Sequence, residues 1–309
     1  MEINKDKLKE FFSLIKEKNN IKAVELIEKD FYLNLLLAKL NLEEYTFKGG
    51  TCLAKAYLDY FRFSEDLDFT FANQKLFENK STNQIKKICK EKIDGFGRQL
   101  EAIGLDFAFD KSDRKYVELG NNNKLVTFKV WYESVFTNAP SFVKIQVNFL
   151  EIVKFDAKLR EILPLLKDAL SKEDKIYFQE FLAFYEKKKM LVYDVKEIVA
   201  EKIRSLLTRK AIKSRDAIDL FFIYHKFGVK PEDLTKEVKD KIVFAIKNYE
   251  KYRDNLILNN EKVKNLGFSY DEVKHLVIKE FKKEDFEDFT TKLKSFLQEI
   301  IEEVSKDKK

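Results

Sequence analysis

Asp66 and Asp68 are separated by one residue in Asp66-Leu67-Asp68-Phe69-Thr70-Phe71, a stretch in which polar and apolar side chains alternate. On a β-strand that spacing puts both carboxylates on one face. Two carboxylates held so close repel one another unless a cation lies between them, and hard oxygen ligands suit Mg2+. Alone, the pair is also what a solvent-facing strand with two acids looks like. A second feature precedes it. Phe47-Lys48-Gly49-Gly50-Thr51 lies between a short strand candidate at 45–48 and an apolar helix from Thr51 through Leu58. Paired glycines let the backbone approach a ligand closely. The first N–H groups of the helix, with the positive end of its dipole, suit a phosphate. By itself a Gly-Gly pair is usually only a turn.

These residues need elements to position them. Residues 4–40 read as two helices, with Phe11, Phe12, Leu14 and Ile15 on the first and Leu26, Ile27, Leu33, Leu36, Leu37 and Leu40 recurring at helical spacing on the second. A polar helix spans about 81–103 and stops at Gly104. Residues 105–110, 115–119, 125–132 and 142–149 are strand candidates rich in Phe, Val and Tyr, with Asn121-Asn122-Asn123 as a turn. Beyond residue 150 the strand signal fades, and 155–170 and 174–188 read as helical, with Pro164 kinking the first. Asp194 as N-cap with Glu197 three residues on resembles a capping box, opening a helix to about Arg209. Helices at 214–227, stopped by Gly228, and at about 232–255, 269–280 and 284–305 complete the chain. The change in pattern near 155 predicts a mixed domain over 1–155 and an all-helical one over 156–309.

Composition narrows the classes. Of 309 residues 45% are hydrophobic and 29 are Phe, too many for a disordered chain. Only 8 Gly and 3 Pro interrupt it, which favours long elements. The net charge of +6 permits a nucleic-acid partner without demanding one. Cys52 and Cys89 lie in no CxxC or Cys/His cluster, so buried thiols in a reducing compartment are expected rather than zinc. The first twenty residues lack the apolar core of a signal peptide, and no apolar run reaches the about 18 residues of a membrane span. A cytoplasmic location away from membranes is the expectation.

The two chemical features gain meaning together. A Gly-Gly turn before a helix, followed about 16 residues later by a DxD strand, is the arrangement of nucleotidyltransferases. There the turn holds a triphosphate and the carboxylates hold metal ions that bridge nucleotide and acceptor. Residues 48–69, KGGTCLAKAYLDYFRFSEDLDF, resemble the signature block of the AbiEii/AbiGii-type bacterial toxins. Residues 201–223, EKIRSLLTRKAIKSRDAIDLFFI, are similar to that family's second block, a Lys on one helix followed by Arg-Asp-x-x-Asp-Leu on the next.

The resemblance implies roles. Lys48, Gly49, Gly50, Thr51 and Ser64 fall at nucleotide-phosphate positions, and Asp66 and Asp68 at the metal-binding acids. Lys202 matches a lysine expected to contact phosphate. Asp216 and Asp219 match the second block's acids; Asp219 is taken as catalytic, and Asp216, Arg209 and Arg215 as nucleotide-binding. The residue pattern allows this. Lys202, Ser205 and Arg209 lie at i, i+3 and i+7, and Asp216 and Asp219 three apart, each set on one helical face. Taken alone they read as salt-bridged helix surface. One departure stands out: where many nucleotidyltransferases carry a third carboxylate on a later strand, Val143–Asn148 offers Gln146 and Asn148.

The expected fold is α+β, a nucleotidyltransferase domain of mixed sheet and flanking helices followed by a helical domain contributing to the active-site cleft. The expected activity is Mg2+-dependent transfer of a nucleotide from an NTP to an acceptor. The resemblance implies RNA, tRNA in particular, as acceptor, a cognate antitoxin as partner, and a toxin–antitoxin or phage-defence role. A catalytically silent nucleotide-binding module that works by binding a partner is the alternative. A helical interaction protein with an incidental DxD is a third reading.

Overall fold

The computed structural model describes residues 4–19, 21–166 and 170–306. The chain divides into two compact units, Met1–Glu151 with Ala157–Val192, and Ile152–Asp156 with Tyr193–Lys309.

The first unit is built on a sheet of seven strands. It opens with helices α1 (Lys5–Asn19) and α2 (Val24–Lys39). Strand β1 (Tyr45–Lys48) runs straight into α3 (Gly49–Cys52), which widens into a π-helical turn over Leu53–Tyr57. After β2 (Asp66–Phe71) comes the long helix α4 (Thr82–Ala102). Ser81 caps α4, its hydroxyl accepting from the Gln84 N–H while the Gln84 side chain returns the bond. Strands β3 (Val117–Gly120), β4 (Leu125–Glu133) and β5 (Pro140–Asn148) form an antiparallel meander, with the Asn121, Asn122 and Asn123 turn in the left-handed region. Strand β6 (Lys158–Ile162), short helices α5 (Lys172–Tyr177) and α6 (Gln179–Leu182), and β7 (Lys188–Val192) close the unit. The spatial order is β3-β4-β5-β2-β1-β7-β6. The pairs β2–β5 and β1–β7 are parallel and the rest antiparallel.

Alternation along the strands divides the sheet into an apolar and a polar face. Tyr45, Phe47, Leu67, Phe69, Phe71, Phe128, Ile145 and Val147 are all buried. Phe96 of α4 stacks on Phe128 at 5.3 Å and meets Tyr45 edge-on at 5.2 Å, so α4 covers this face. The other side carries Thr46 and Lys48, Asp66, Asp68 and Thr70, and Lys144, Gln146 and Asn148 in register.

The second unit is helical: α7 (Val195–Thr208), α8 (Ser214–Phe227), a 3-10 turn over Pro231–Leu234, α9 (Thr235–Asn248), α10 (Glu250–Lys264) and α11 (Lys283–Lys306). Gly228 ends α8 at φ 66°. Phe221, Phe281, Phe286 and Phe289 form its aromatic core. Among the described residues no helix is long and apolar enough to cross a membrane. Both cysteines are buried and free.

The α+β class agrees with the sequence expectation, and several local expectations do not. Residues 158–162, expected to be helical, are a strand, and Lys188–Val192, at and just past the end of the second expected helix, is another; the compact first unit includes both. Residues 158–161 are all exposed, and a charged edge strand reads like a solvated helix. Part of that expected helix, 167–169, lies outside the described residues. Residues 105–110 form no strand, only a single bridge between Asp106 and Trp131. The stretch 269–280 is a series of turns although Val273 and Leu276 are buried, and 232–255 breaks between α9 and α10 at Tyr249. Asp194 does cap α7, accepting from the Lys196 N–H at 2.8 Å. Glu197 does not complete a capping box: its carboxylate accepts from the Lys154 and Phe155 N–H groups and pairs with Lys241.

Candidate active site

In β2, Asp66 and Asp68 stand on one face as their spacing requires, each half-buried, while Leu67 and Phe69 between and beyond them are buried on the other. Pairing supplies their neighbours. Lys48 at the end of β1 lies opposite Asp68. In the parallel β5, Lys144 lies opposite Asp66, Gln146 opposite Asp68 and Asn148 opposite Thr70.

The glycines are explained by this crowding. Gly49 has φ 77°, a region L side chains rarely adopt, and a Cβ there would meet Asp68 Oδ2 at 2.3 Å. A Cβ on Gly50 would meet Arg62 Nη2 at 2.7 Å and Ser64 Oγ at 2.8 Å. The turn therefore has backbone on one side and Asp68, Arg62 and Ser64 on the other. Thr51 is not a free hydroxyl: its Oγ1 donates to the Asp66 carbonyl and ties the turn to β2. The helix after the turn starts at Gly49, two residues earlier than the sequence suggests.

Charges on this face are paired. Lys48 Nζ lies 2.6 Å from both Oε1 and Oε2 of Glu151, just past β5. Thr70 Oγ1 and Asn148 Nδ2 also donate to Glu151. Lys144 Nζ lies 3.0 Å from Asp66 Oδ2. Among the described residues no three Asp, Glu, His or Cys side chains gather to hold a metal. Two carboxylates nonetheless fit Mg2+, which keeps several waters and is commonly held by one or two carboxylates plus substrate phosphates.

The second block stands in the other unit. Lys202 of α7 pairs with Asp216 Oδ1 at 2.9 Å and with Asp219, both on α8. Arg209, at the C-cap of α7, reaches Asp216 Oδ2 at 3.4 Å. Burial by itself raises the Asp216 carboxyl, but the Lys202 and Arg209 charges and the Lys202 hydrogen bond outweigh it and hold the group well below the usual carboxylate range. Taken alone the residue pattern reads as salt-bridged helix surface; the salt bridges are present, but the groups are enclosed rather than at the surface, Lys202 being 7% exposed, Asp216 5% and Asp219 0%. Arg215 is half-buried beside them.

A family described as nucleotidyl transferase AbiEii toxin, of a type IV toxin–antitoxin system, matches residues 34–307. The chain belongs to the AbiEii family. Membership carries a nucleotidyltransferase assignment, hence an NTP, and a cognate antitoxin. No curated protein matches the chain. Solved structures that it resembles include JHP933 from Helicobacter pylori, 17% identical at a TM-score of 0.45, covering 93% of this chain and 96% of that one. A second H. pylori protein, provisionally assigned as a nucleotidyltransferase, is 18% identical at a TM-score of 0.43 over 92% and 98%.

Both AbiEii blocks are thus placed. The first brings Lys48, Gly49, Gly50, Thr51, Ser64, Asp66 and Asp68 to one end of β1 and β2. The second brings Lys202, Asp216 and Asp219 to one buried cluster, with the half-exposed Arg209 at its edge. Three residues of this candidate site escaped the sequence reading. Arg62 is quoted in the first block but carries no charge-specific signal; it is buried, its Nη1 donating to the Phe63 carbonyl at 2.6 Å. Lys144 was one lysine among many on a strand. Glu151 follows β5 at its end, where alternation no longer says which way a side chain faces.

Proposed function

We propose that this AbiEii protein transfers a nucleotide from an NTP to an RNA acceptor, tRNA in particular, using a divalent cation, Mg2+, held by Asp66 and Asp68. The observation that carries it is the close approach of the Gly49 backbone to the Asp68 carboxylate, which sets the glycine turn directly beside the acids of β2. Mg2+, when bound there, would neutralise the triphosphate charge and polarise the phosphoryl group. Asp66 and Asp68 would orient the reacting phosphate from one strand face. Ser64 and Arg62 border the Gly50 backbone, and Lys48 stands next to the turn; these groups would hold the phosphates.

The test is incubation of the full chain with radiolabelled NTPs, Mg2+ and total RNA, beside Asp66→Asn. Label in RNA from the wild type only supports the proposal; label that survives Asp66→Asn overturns the assignment of the acids. RNA held through phosphates predicts binding that weakens steeply with salt, whereas a flat dependence points to a protein or small-molecule acceptor. Gln146 opposite Asp68, in place of a third carboxylate, favours the alternative of a silent nucleotide-binding module. That alternative predicts NTP binding with no transfer to RNA or protein.

A further inference from the structure

Two lysine–carboxylate pairs flank Asp68 on the polar face, and they are built differently. Lys48 and Glu151 meet through both carboxylate oxygens, with side chains only 14% and 9% exposed. Glu151 is braced further by Thr70 and Asn148, and its N–H donates to Gln74 Oε1 at 3.0 Å. Lys144 and Asp66 share one contact at 3.0 Å, with side chains 35% and 24% exposed. An ammonium on a flexible four-carbon stem, facing solvent and held at one oxygen, leaves its partner at little cost. The first pair is a fixed brace and the second is exchangeable.

We propose that Lys144 is the counter-ion of the metal seat: it occupies Asp66 in the nucleotide-free chain, yields it to a divalent cation that arrives bound to NTP, and then pairs with the nucleotide's phosphates. The inference rests on the nucleotidyl-transfer reading of Asp66 and Asp68. Its logic is electrostatic. A bare divalent cation approaching Asp66 must displace an ammonium and then sit beside it, so it gains little. A metal–triphosphate complex is net negative, and the displaced ammonium attracts it. Lys144 thereby selects the loaded nucleotide over the free metal, using repulsion against the wrong ligand. The parallel register of β5 on β2 makes this possible, since it sets Lys144 beside Asp66 on the same face.

The test measures Mn2+ binding to the full chain without nucleotide, by electron paramagnetic resonance of free Mn2+. Binding of NTP analogues with a non-hydrolysable α–β bridge, in the presence of Mn2+, is measured alongside. Lys144→Gln should bind bare Mn2+ more tightly, by about fivefold to tenfold for partly exposed charges, and bind the Mn2+–nucleotide more weakly by a similar factor. Lys144→Arg should stay near wild type in both. The gain in Mn2+ affinity should vanish when Asp66→Asn is added. Thermal melts of each variant show that altered binding is not unfolding. Unchanged Mn2+ affinity in Lys144→Gln, or a gain that survives Asp66→Asn, overturns the inference. A wild type that transfers nucleotide while Lys144→Gln alters neither affinity overturns this inference alone. A wild type that takes Mn2+ but no nucleotide overturns the transfer reading and the phosphate role of Lys144 with it.

Discussion

Asp66 on β2 meets one lysine across a strand pair and keeps a quarter of its side chain in solvent, whereas Asp219 on α8 is fully buried against Lys202, beside a nearly buried Asp216. Both lie in the two blocks that carry the sequence resemblance to the AbiEii family, yet their settings differ. A partly exposed ion pair contributes little and can be exchanged. A buried charge has given up its hydration, so removing its partner is costly. The first unit thus presents carboxylates that a cation can reach, and the second commits its charges to one another. The same residue types serve a replaceable contact in one place and a fixed one in the other.

Variants can break or sharpen that contrast. The largest effect is expected at Asp66. Asp66→Ala should lower transfer at least about a hundredfold, the scale of losing a positioned charge-stabilising group. Its denaturation midpoint should stay near wild type, because only a weak, partly exposed pair is lost. Full transfer by this variant would remove Asp66 from the chemistry.

Lys202→Ala should behave in the opposite way. Taking the ammonium from between Asp216 and Asp219 should destabilise the protein by about 3–5 kcal/mol, read from urea or guanidinium unfolding. The sequence alone suggests a surface lysine whose loss costs little stability. A wild-type midpoint for Lys202→Ala would restore that view.

Gly49→Ala lies between the two. It forces a left-handed backbone on a residue with a Cβ and drives that Cβ into Asp68. A loss of about 1–3 kcal/mol is expected, with impaired transfer because Asp68 must move. Equal stability and activity would show that the turn has room to spare.

The smallest effect is read in acid. The folded-state value of Asp216 lies below its unfolded value of about 3.9, so the folded chain binds that proton more weakly. Its contribution to stability is complete above that unfolded value. It is lost as pH falls from about 4 toward the lower folded value. Unfolding measured from pH 6 to pH 2 should show this acid slope, and Asp216→Asn should flatten it. An unchanged slope in Asp216→Asn would mean that Lys202 and Arg209 do not hold the carboxylate as described.

Much of the first block was legible because its chemistry is local. Alternation over residues 66–71 places Asp66 and Asp68 on one face without reference to the rest of the chain, and a Gly-Gly pair between a strand and a helix marks a tight turn by composition alone. The pattern of helices α1, α2, α4, α8 and α11 was equally clear, since each repeats its apolar residues at helical spacing over many turns. Strands β6 and β7 were not legible. Lys158-Leu159-Arg160-Glu161 and Lys188-Lys189-Met190 carry residues that also favour helices, and only pairing at the sheet edge makes them strands.

What the sequence determined by itself is therefore the local frame of this protein: which residues alternate on β2, where the backbone must be glycine, and which helical faces are apolar. Tertiary structure decided the partners. Lys144 meets Asp66 across 78 residues because β5 lies parallel to β2 in one register, and a shift of one residue would have turned it to the other face. Glu151 captures Lys48 across 103 residues because β1 and β5 flank β2 on either side. Lys202, Asp216 and Asp219 look like solvated helix surface in one dimension and are buried only because α7 and α8 pack inside a helical unit. Periodicity reveals the face of an element, but burial and ionic partnership depend on what is packed against that face.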